Sequence, residues 1–383
     1  MNILVFTHIM GGHHLEYIHH IYEAASVDQC NKYTFLLPQS FLGKKDKFDW
    51  IPLSNVVFDF FEDSLFEEDP STVSQMLLNS YKICKFLGNY SKQKDIKVIY
   101  SNHMIVFVPF APFFFRGTKI IGIIYRIFLH ELNDLSWKQK IYDRFKYYIM
   151  SFFGVYKHIL LLNDKKSPNQ LNKRYHTDKF SYIPDPYLPL RQNDYIDIRG
   201  LYGIKKSQTL FVHFGAMNTN KGTLEIMNSL TRLSQEETKT YSFIFAGKIA
   251  EDIKDSFYAL YSKVKENLHI IIIDKYCSYD FFASLCISCD AIITPYKRTS
   301  QSSGLIGYAS QFGKPVIAPN KGLLGNLVKE YNLGILIKDC TPLSLISAYK
   351  SVAEGNCPRP NMKYCEDNSV DEFNKYILEY LND

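Results

Sequence analysis

The sequence predicts two α/β domains, each built on a parallel sheet covered on both faces. Three observations carry that reading. The chain has 383 residues, about two and a half times an ordinary domain of ~150 residues. Strand-like apolar runs alternate with helical stretches throughout, the order that gives parallel sheets. At residues 183–189 the alternation stops, with Pro184, Pro186 and Pro189 close together. Repeated proline restricts itself and its predecessor to extended geometry, so this is the start of a stiff linker.

The first half reads as strands at 2–7, 32–37, 55–60, 97–101, 119–125, 158–163 and 180–183, with helices at 14–25, 73–90 and 135–153. In the second of these helices Met76, Leu77, Tyr81, Cys84 and Leu87 recur close to helical spacing. After the linker, which runs to about residue 204, strands are expected at 209–214, 241–246, 268–273, 291–295, 315–318 and 334–337. Helices are expected at 222–234, 250–267, 278–288, 305–312, 323–331, 342–355 and 370–381. The domains are therefore placed at 1–188 and 189–355, with 356–383 a closing segment whose helix packs back on the first domain. Two α/β halves joined this way put a cleft between them, and ligands of open parallel sheets sit beyond the carboxyl ends of the strands.

Composition narrows the class. With 46% hydrophobic and 22% charged residues the chain fills proper cores, which excludes a disordered or collagen-like protein. A net charge of +5 suits phosphate or an anionic surface but is too weak and too evenly spread to argue for nucleic acid. The eight cysteines are scattered and read as reduced thiols; Cys286 and Cys289 stand at metal spacing without a second pair and read as core thiols. The first residues lack the basic start of a signal peptide, and the longest apolar run, at 104–115, contains Pro109 and Pro112 and is too short to span a bilayer. A soluble or peripheral cytoplasmic protein is expected.

Three loops at strand ends hold ligand chemistry. The first contains Gly11 and Gly12 before a helix, where the backbone can approach a ligand and helix N–H groups face an anion. The second runs from Gly215 to Lys221 and Gly222 and opens a helix, so that Lys221 adds a point charge to the positive end of the dipole. It is not a Walker A loop, since Asn220 stands where that motif needs glycine. The third is hydroxyl-rich, from Thr299 through Gln301 to Gly304, with the N–H groups of Gly304, Leu305 and Ile306 at a helix start, Tyr308 one turn on, and Lys297 and Arg298 alongside.

The residues Gly11-Gly12-His13-His14-Leu15-Glu16, Gly215 with Lys221-Gly222, 243–247 (FIFAG), 290–295 (DAIITP) and 313–318 (GKPVIA) give the chain a resemblance to GT-B glycosyltransferases of the family 4 retaining type. The resemblance implies two Rossmann-like domains facing each other across a cleft. It also implies a nucleotide-sugar donor, a UDP- or GDP-sugar, held mainly by the second domain, and a glycan or lipid-linked acceptor held mainly by the first. Lys221, Gly304, Leu305 and Ile306 match the family's donor site. Two glutamates usual in that family fall at Gln301 and Tyr308, and an arginine often found near the start of the second loop falls at about Ala216. Donor recognition is therefore altered. Family members often place a histidine after a strand of the first domain, facing the donor sugar; the candidates are His103 and, preferred, His130.

No Asp-x-Asp pair occurs in the chain, so neither a metal nor another cofactor is expected. Lys221, Arg298 or Lys297 and two helix N-termini then neutralise the leaving diphosphate. Residues 137–157 carry Lys138, Lys140, Arg144, Lys146 and Lys157 against the single acid Asp143, among many aromatics. Such a helix suits an anionic membrane surface, although a core helix with snorkelling lysines has the same composition. Two other readings fit the architecture: a non-hydrolysing sugar-nucleotide epimerase, and a catalytically silent binding subunit.

Overall fold

The computed structural model describes every residue except 12–13 and 191–194. Gly12 and part of the expected linker lie outside the described residues. The chain divides into two units, Met1–Pro186 with Asn368–Asp383, and Tyr187–Asp367.

The first unit holds seven strands: β1 (Asn2–Phe6), β2 (Lys32–Pro38), β3 (Val56–Phe61), β4 (Val98–Ser101), β5 (Lys119–Ile124), β6 (Tyr156–Leu162) and β7 (Phe180–Ile183). They pair in the order β3-β2-β1-β4-β5-β6-β7, every pair parallel. The central strands are apolar on both faces, as a sheet covered on both sides demands: Ile3, Leu4, Val5 and Phe6 of β1 have no exposed surface. The helix Val370–Asn382 belongs to this unit's core through Phe373, Ile377 and Leu381, one face of a helix repeating every fourth residue.

The second unit holds β8 (Thr209–Phe214), β9 (Tyr241–Ala246), β10 (His269–Ile273), β11 (Ala291–Ile293), β12 (Val316–Pro319) and β13 (Gly334–Ile337). Their order is β10-β9-β8-β11-β12-β13, again all parallel. Its core gathers Phe211, Phe243, Phe245, Phe257 and Tyr349, each at most 1% exposed. A buried aromatic of this kind contributes roughly 1.5–3 kcal/mol of burial.

Local chemistry explains where the structure departs from the sequence expectations. The helix expected at 222–234 is Thr223–Leu230, and a separate helix, Gln235–Thr240, follows it. Ser234 and Glu237 form a capping box, which starts a new helix rather than continuing the old one. Residues 198–201, read as linker, form a helical turn in which Asp197 accepts from the Gly200 N–H at 3.1 Å. The helix Ser167–Tyr175 was not expected, because its interior is polar and only Leu171 and Pro168 bring apolar bulk inside.

In both sheets the strand order reverses direction at one place, between β1 and β4 in the first and between β8 and β11 in the second. Loops leaving the carboxyl ends of those neighbours turn to opposite faces and open a crevice, the usual seat of ligands in such sheets. Phe6 pairs with Ser101 at the first switch point, and Val212 pairs with Ile292 at the second.

Candidate functional site

At the switch point of the second sheet, the loops after β8 and β11 are fastened together. The Lys297 N–H donates to the Asn220 carbonyl at 2.9 Å. Gly222 has φ +71°, and a Cβ there would lie 2.2 Å from the Pro295 carbonyl oxygen, so only glycine allows this approach. Asn218 accepts from the Lys221 N–H at 3.1 Å and sets the turn that precedes it. Beneath them His213 is fully buried; its Nδ1–H donates to the Ile293 carbonyl at 2.9 Å, and its Nε2 accepts from the Thr223 hydroxyl at 3.0 Å. Burial lowers its pKa to about 4, so a neutral imidazole ties β8 to β11 and to the start of the next helix. Held this way, Lys221 places its ammonium 3.8 Å from the centroid of the Tyr296 ring.

The loop after β11 leads into the helix Leu305–Phe312. Arg298, Gln301 and Gly304 are exposed on it. Gly304 has ordinary helical geometry, φ −56° and ψ −22°, and a Cβ there would meet nothing within 4 Å. Neither backbone strain nor packing within the chain calls for glycine at 304; the space outside it is open. Among the described residues no acceptor meets the N–H groups of Gly304 and Leu305, whereas the Ile306 N–H donates to the Ser303 carbonyl at 3.1 Å. Tyr308 is half-buried, its ring 5.7 Å from that of Tyr187 and stacked on Phe214 at 6.2 Å. Lys297 is paired with Glu225 at 2.6 Å.

At the switch point of the first sheet, imidazoles gather from β1, β4 and the first helix. The rings of His8 and His103 are parallel, 6.2 Å apart, and His14 packs on Tyr125 at 5.9 Å. Burial, with the neighbouring imidazoles His103 and His14, lowers the pKa of His8 to about 3. Burial, with His14 and Lys146 nearby, lowers that of His103 to about 4. Both are neutral at physiological pH. The His103 Nδ1, the Asn102 Oδ1 and the Tyr100 hydroxyl are buried without a partner among the described residues. Buried polar atoms of this kind are rare unless something else completes them.

His130 stands apart from that group, on a turn after β5. Its Nε2 lies 2.6 Å from Oδ2 of the buried Asp164, which follows β6. Burial alone would raise the Asp164 pKa, but hydrogen bonds from His130 and Ser167 outweigh it and hold the carboxyl below its ordinary value. Asp164 also caps the helix Ser167–Tyr175 through the Lys166 and Ser167 N–H groups, both at 3.0 Å. Next to this pair Arg126 bonds Glu131 at 2.8 Å and Asp143 at 3.1 Å. The structure therefore separates the two histidine candidates: His103 joins His8 and His14, while His130 is oriented by a carboxylate. Asp164, Asn102 and His8 escaped the sequence reading, although each lies just past a strand, the place where sheet ligands are met. Gly11 is exposed, and a Cβ there would also meet nothing within 4 Å.

One cluster among the described residues has metal-ligand chemistry, His19, His20 and Glu23, with ligand atoms within 4.8 Å of one another. It lies on the face of the first helix, away from the strand ends. His20 already bonds Glu23 at 3.0 Å, and His19 the Asp49 carbonyl at 3.0 Å.

No protein-family model and no curated protein matches the chain. Solved structures do. HepE of Anabaena, in complex with UDP and glucose, superposes with a TM-score of 0.65 at 15% identity over 100% of this chain and 99% of its own. Sucrose-phosphate synthase of Thermosynechococcus elongatus gives 0.65 at 11% identity over 99% and 94%. WaaG, a glycosyltransferase involved in lipopolysaccharide biosynthesis, gives 0.61 at 14% identity over 96% and 94%. The likeness runs the whole length of both partners, and with the two parallel sheets it establishes that this chain has the GT-B fold.

Proposed function

We propose that the chain is a glycosyltransferase that moves a sugar from a UDP- or GDP-sugar to a glycan or lipid-linked acceptor at the inner face of a membrane. The observation that carries this reading is the full-length likeness both to proteins named as glycosyltransferases, WaaG among them, and to HepE, which has been solved in complex with UDP-glucose. The second switch point supports it. A fixed lysine, an exposed arginine and a helix start with unengaged N–H groups are the chemistry that a diphosphate needs.

In this reading Lys221, Arg298 and the N–H groups of Gly304 and Leu305 hold the diphosphate. Ile306 contributes through its place in the first turn, since its own N–H already has an acceptor. Gln301 offers a neutral amide to a sugar hydroxyl, and the Tyr308 ring walls the ribose. Gly11, exposed with open space outside it, is the first unit's candidate for close backbone approach to a ligand. The bond between the anomeric carbon and the phosphate oxygen breaks with oxocarbenium character, and the electron pair leaves on the diphosphate. The acceptor hydroxyl attacks from the same face and passes its proton to the departing phosphate oxygen. Configuration is retained, and the charge that a metal would offset falls on Lys221 and the helix dipole.

His103, neutral with an unpartnered buried Nδ1, is suited to hydrogen-bonding a sugar hydroxyl rather than to supplying a proton. His130, its ring fixed by Asp164, is the residue of the two that has the partner a base requires.

A thermal-shift screen with UDP, GDP, ADP and their common sugars tests the proposal. A ligand at a hundred times its dissociation constant adds about 2.7 kcal/mol. Incubation with the stabilising nucleotide sugar then separates the alternatives: an epimerase isomerises the sugar unaided, and a silent binding subunit releases no nucleoside diphosphate with any acceptor.

A further inference from the structure

The helix Trp137–Phe152 presents two faces of opposite character. Its inner face is tied to the candidate site. Asp143 bonds Arg126 at 3.1 Å and Lys146 at 2.8 Å, and the Tyr147 ring packs on Phe128 at 4.6 Å. Its outer face carries Trp137, Ile141, Phe145, Tyr148 and Phe152, spaced by three or four residues and so aligned on one stripe. All five are more than half exposed, from 51% for Phe145 to 67% for Trp137. Tyr148 stacks on Phe152 at 5.7 Å, and Phe152 meets Phe153 edge-on at 5.1 Å.

Single exposed apolar residues are normal on a protein surface, but a stripe of five along about 24 Å of helix is a contiguous patch that calls for a partner. Its charges indicate which. At 100° per residue Lys138 borders one side of the stripe, and Lys140 and Arg144 border the other. The helix's one acid, Asp143, is buried and already paired on the inner face. Lys179 adds a cation at the C-terminal end, where its ammonium bonds the Ser151 carbonyl at 2.6 Å and the Phe153 carbonyl at 2.9 Å. Asp178, its neighbour in the chain, is an acid whose charge acts on Lys179.

We propose that this stripe docks the chain flat on a bilayer surface rich in anionic headgroups. The aromatics enter the boundary between headgroups and acyl chains, and the flanking cations meet phosphates. No helix among the described residues is long and apolar enough to cross a membrane, so the contact is with one leaflet. A second copy of the chain fits the stripe less well, because it would bring the same cations and no free acid on this helix to meet them. Where this bears on the proposed transfer, it narrows the acceptor to a lipid-linked one; that narrowing rests on the transfer reading, whereas the docking does not.

Vesicle flotation of the full chain tests the docking without any activity assay. The probes are vesicles of phosphatidylcholine alone and of phosphatidylcholine mixed equally with phosphatidylglycerol. The parent is expected to float with the mixed vesicles at least about tenfold better than with the neutral ones, and to be released by high salt, since each cation near such a surface contributes roughly fivefold. Tryptophan emission should shift to the blue on binding, and Trp137→Phe should abolish the shift. Replacing Trp137, Ile141, Phe145 and Phe152 together by serine should abolish flotation. If that variant melts below the parent, Lys138→Gln, Lys140→Gln and Arg144→Gln combined, all on the surface, should remove the preference for phosphatidylglycerol. Failure of the parent to float, or flotation unchanged in both variants, would overturn the proposal. A parent dimer in sedimentation that the serine variant dissolves, with no flotation, would give the face to a second copy instead.

Discussion

The ammonium of Lys221 stands over the ring of Tyr296, 3.8 Å from its centroid, at the point where the loops after β8 and β11 meet. A cation so placed is partly desolvated and has no ion pair among the described residues, so it can turn to an incoming phosphate without first breaking a salt bridge. Its neighbour Lys297, by contrast, is engaged with Glu225.

The approach of these loops depends on Gly222. Gly222→Ala forces a side chain into the left-handed region and drives its Cβ against the Pro295 carbonyl. The conformation alone costs roughly 1–2 kcal/mol, and the contact adds to it. Urea unfolding should show a loss of at least about 2 kcal/mol, with a further loss of nucleotide affinity in what remains folded. Gly304→Ala, at an ordinary helical φ with open space outside, should leave stability unchanged and affect only ligand binding.

The buried imidazoles make stability depend on pH in a stated direction. His103 and His8 are held neutral in the folded chain down to about pH 4 and 3, while an unfolded histidine takes up its proton near 6.5. The unfolded state therefore binds more protons below pH 6.5, and folding stability falls from there toward pH 4. For groups displaced this far the combined loss is on the order of a few kcal/mol. Denaturant midpoints taken across this range should slope downward in the parent and less steeply in His103→Leu, where His8 and the buried His213, lowered to about 4, still contribute. An equal slope in both would place the titrating groups elsewhere.

Tyr308 is predicted to matter more for packing than for hydrogen bonding. Its ring lies between those of Tyr187 and Phe214. Tyr308→Phe should cost less than about 1.5 kcal/mol of donor affinity, the upper end for a neutral hydrogen bond. Tyr308→Ala should melt below the parent by about 2 kcal/mol, less than a fully buried aromatic loses, and should weaken donor binding further. Donor titrations of both variants, corrected for the folded fraction, check this; a loss in Phe as large as in Ala would assign the contact to the hydroxyl.

The metal-free account of leaving-group stabilisation predicts that turnover survives EDTA and changes only modestly with Mg²⁺ or Mn²⁺. Loss of turnover on chelation, recovered by one added ion, would refute it.

The strands and their alternation were legible in the sequence because each is a short apolar run, as in β1, buried from Ile3 onward, and the all-buried β9. The phosphate-binding loops were legible through glycine and lysine just past those runs. The grouping of His8, His14 and His103 was not. It depends on β1 and β4 lying side by side although some 90 residues separate them, and strand order is not written in local pattern. The pairing of His130 with Asp164 was hidden for the same reason, since it joins the ends of neighbouring β5 and β6. The sequence left the helix Trp137–Phe152 open between a membrane face and core, because its aromatics surround the helix and only burial distinguishes Tyr147 from Tyr148.

The central claim is that the second unit seats a nucleoside diphosphate on Lys221, and calorimetric titration of the parent and of Lys221→Ala tests it most directly. Lys221 is at a loop tip and half-buried, so the variant should melt like the parent. The account predicts that the parent binds UDP or GDP, and that Lys221→Ala binds the same nucleotide more weakly by about 1.5–3 kcal/mol, the range for a hydrogen bond to a charged group. No binding of either nucleotide by the parent, or the same affinity in a well-folded Lys221→Ala, would contradict it.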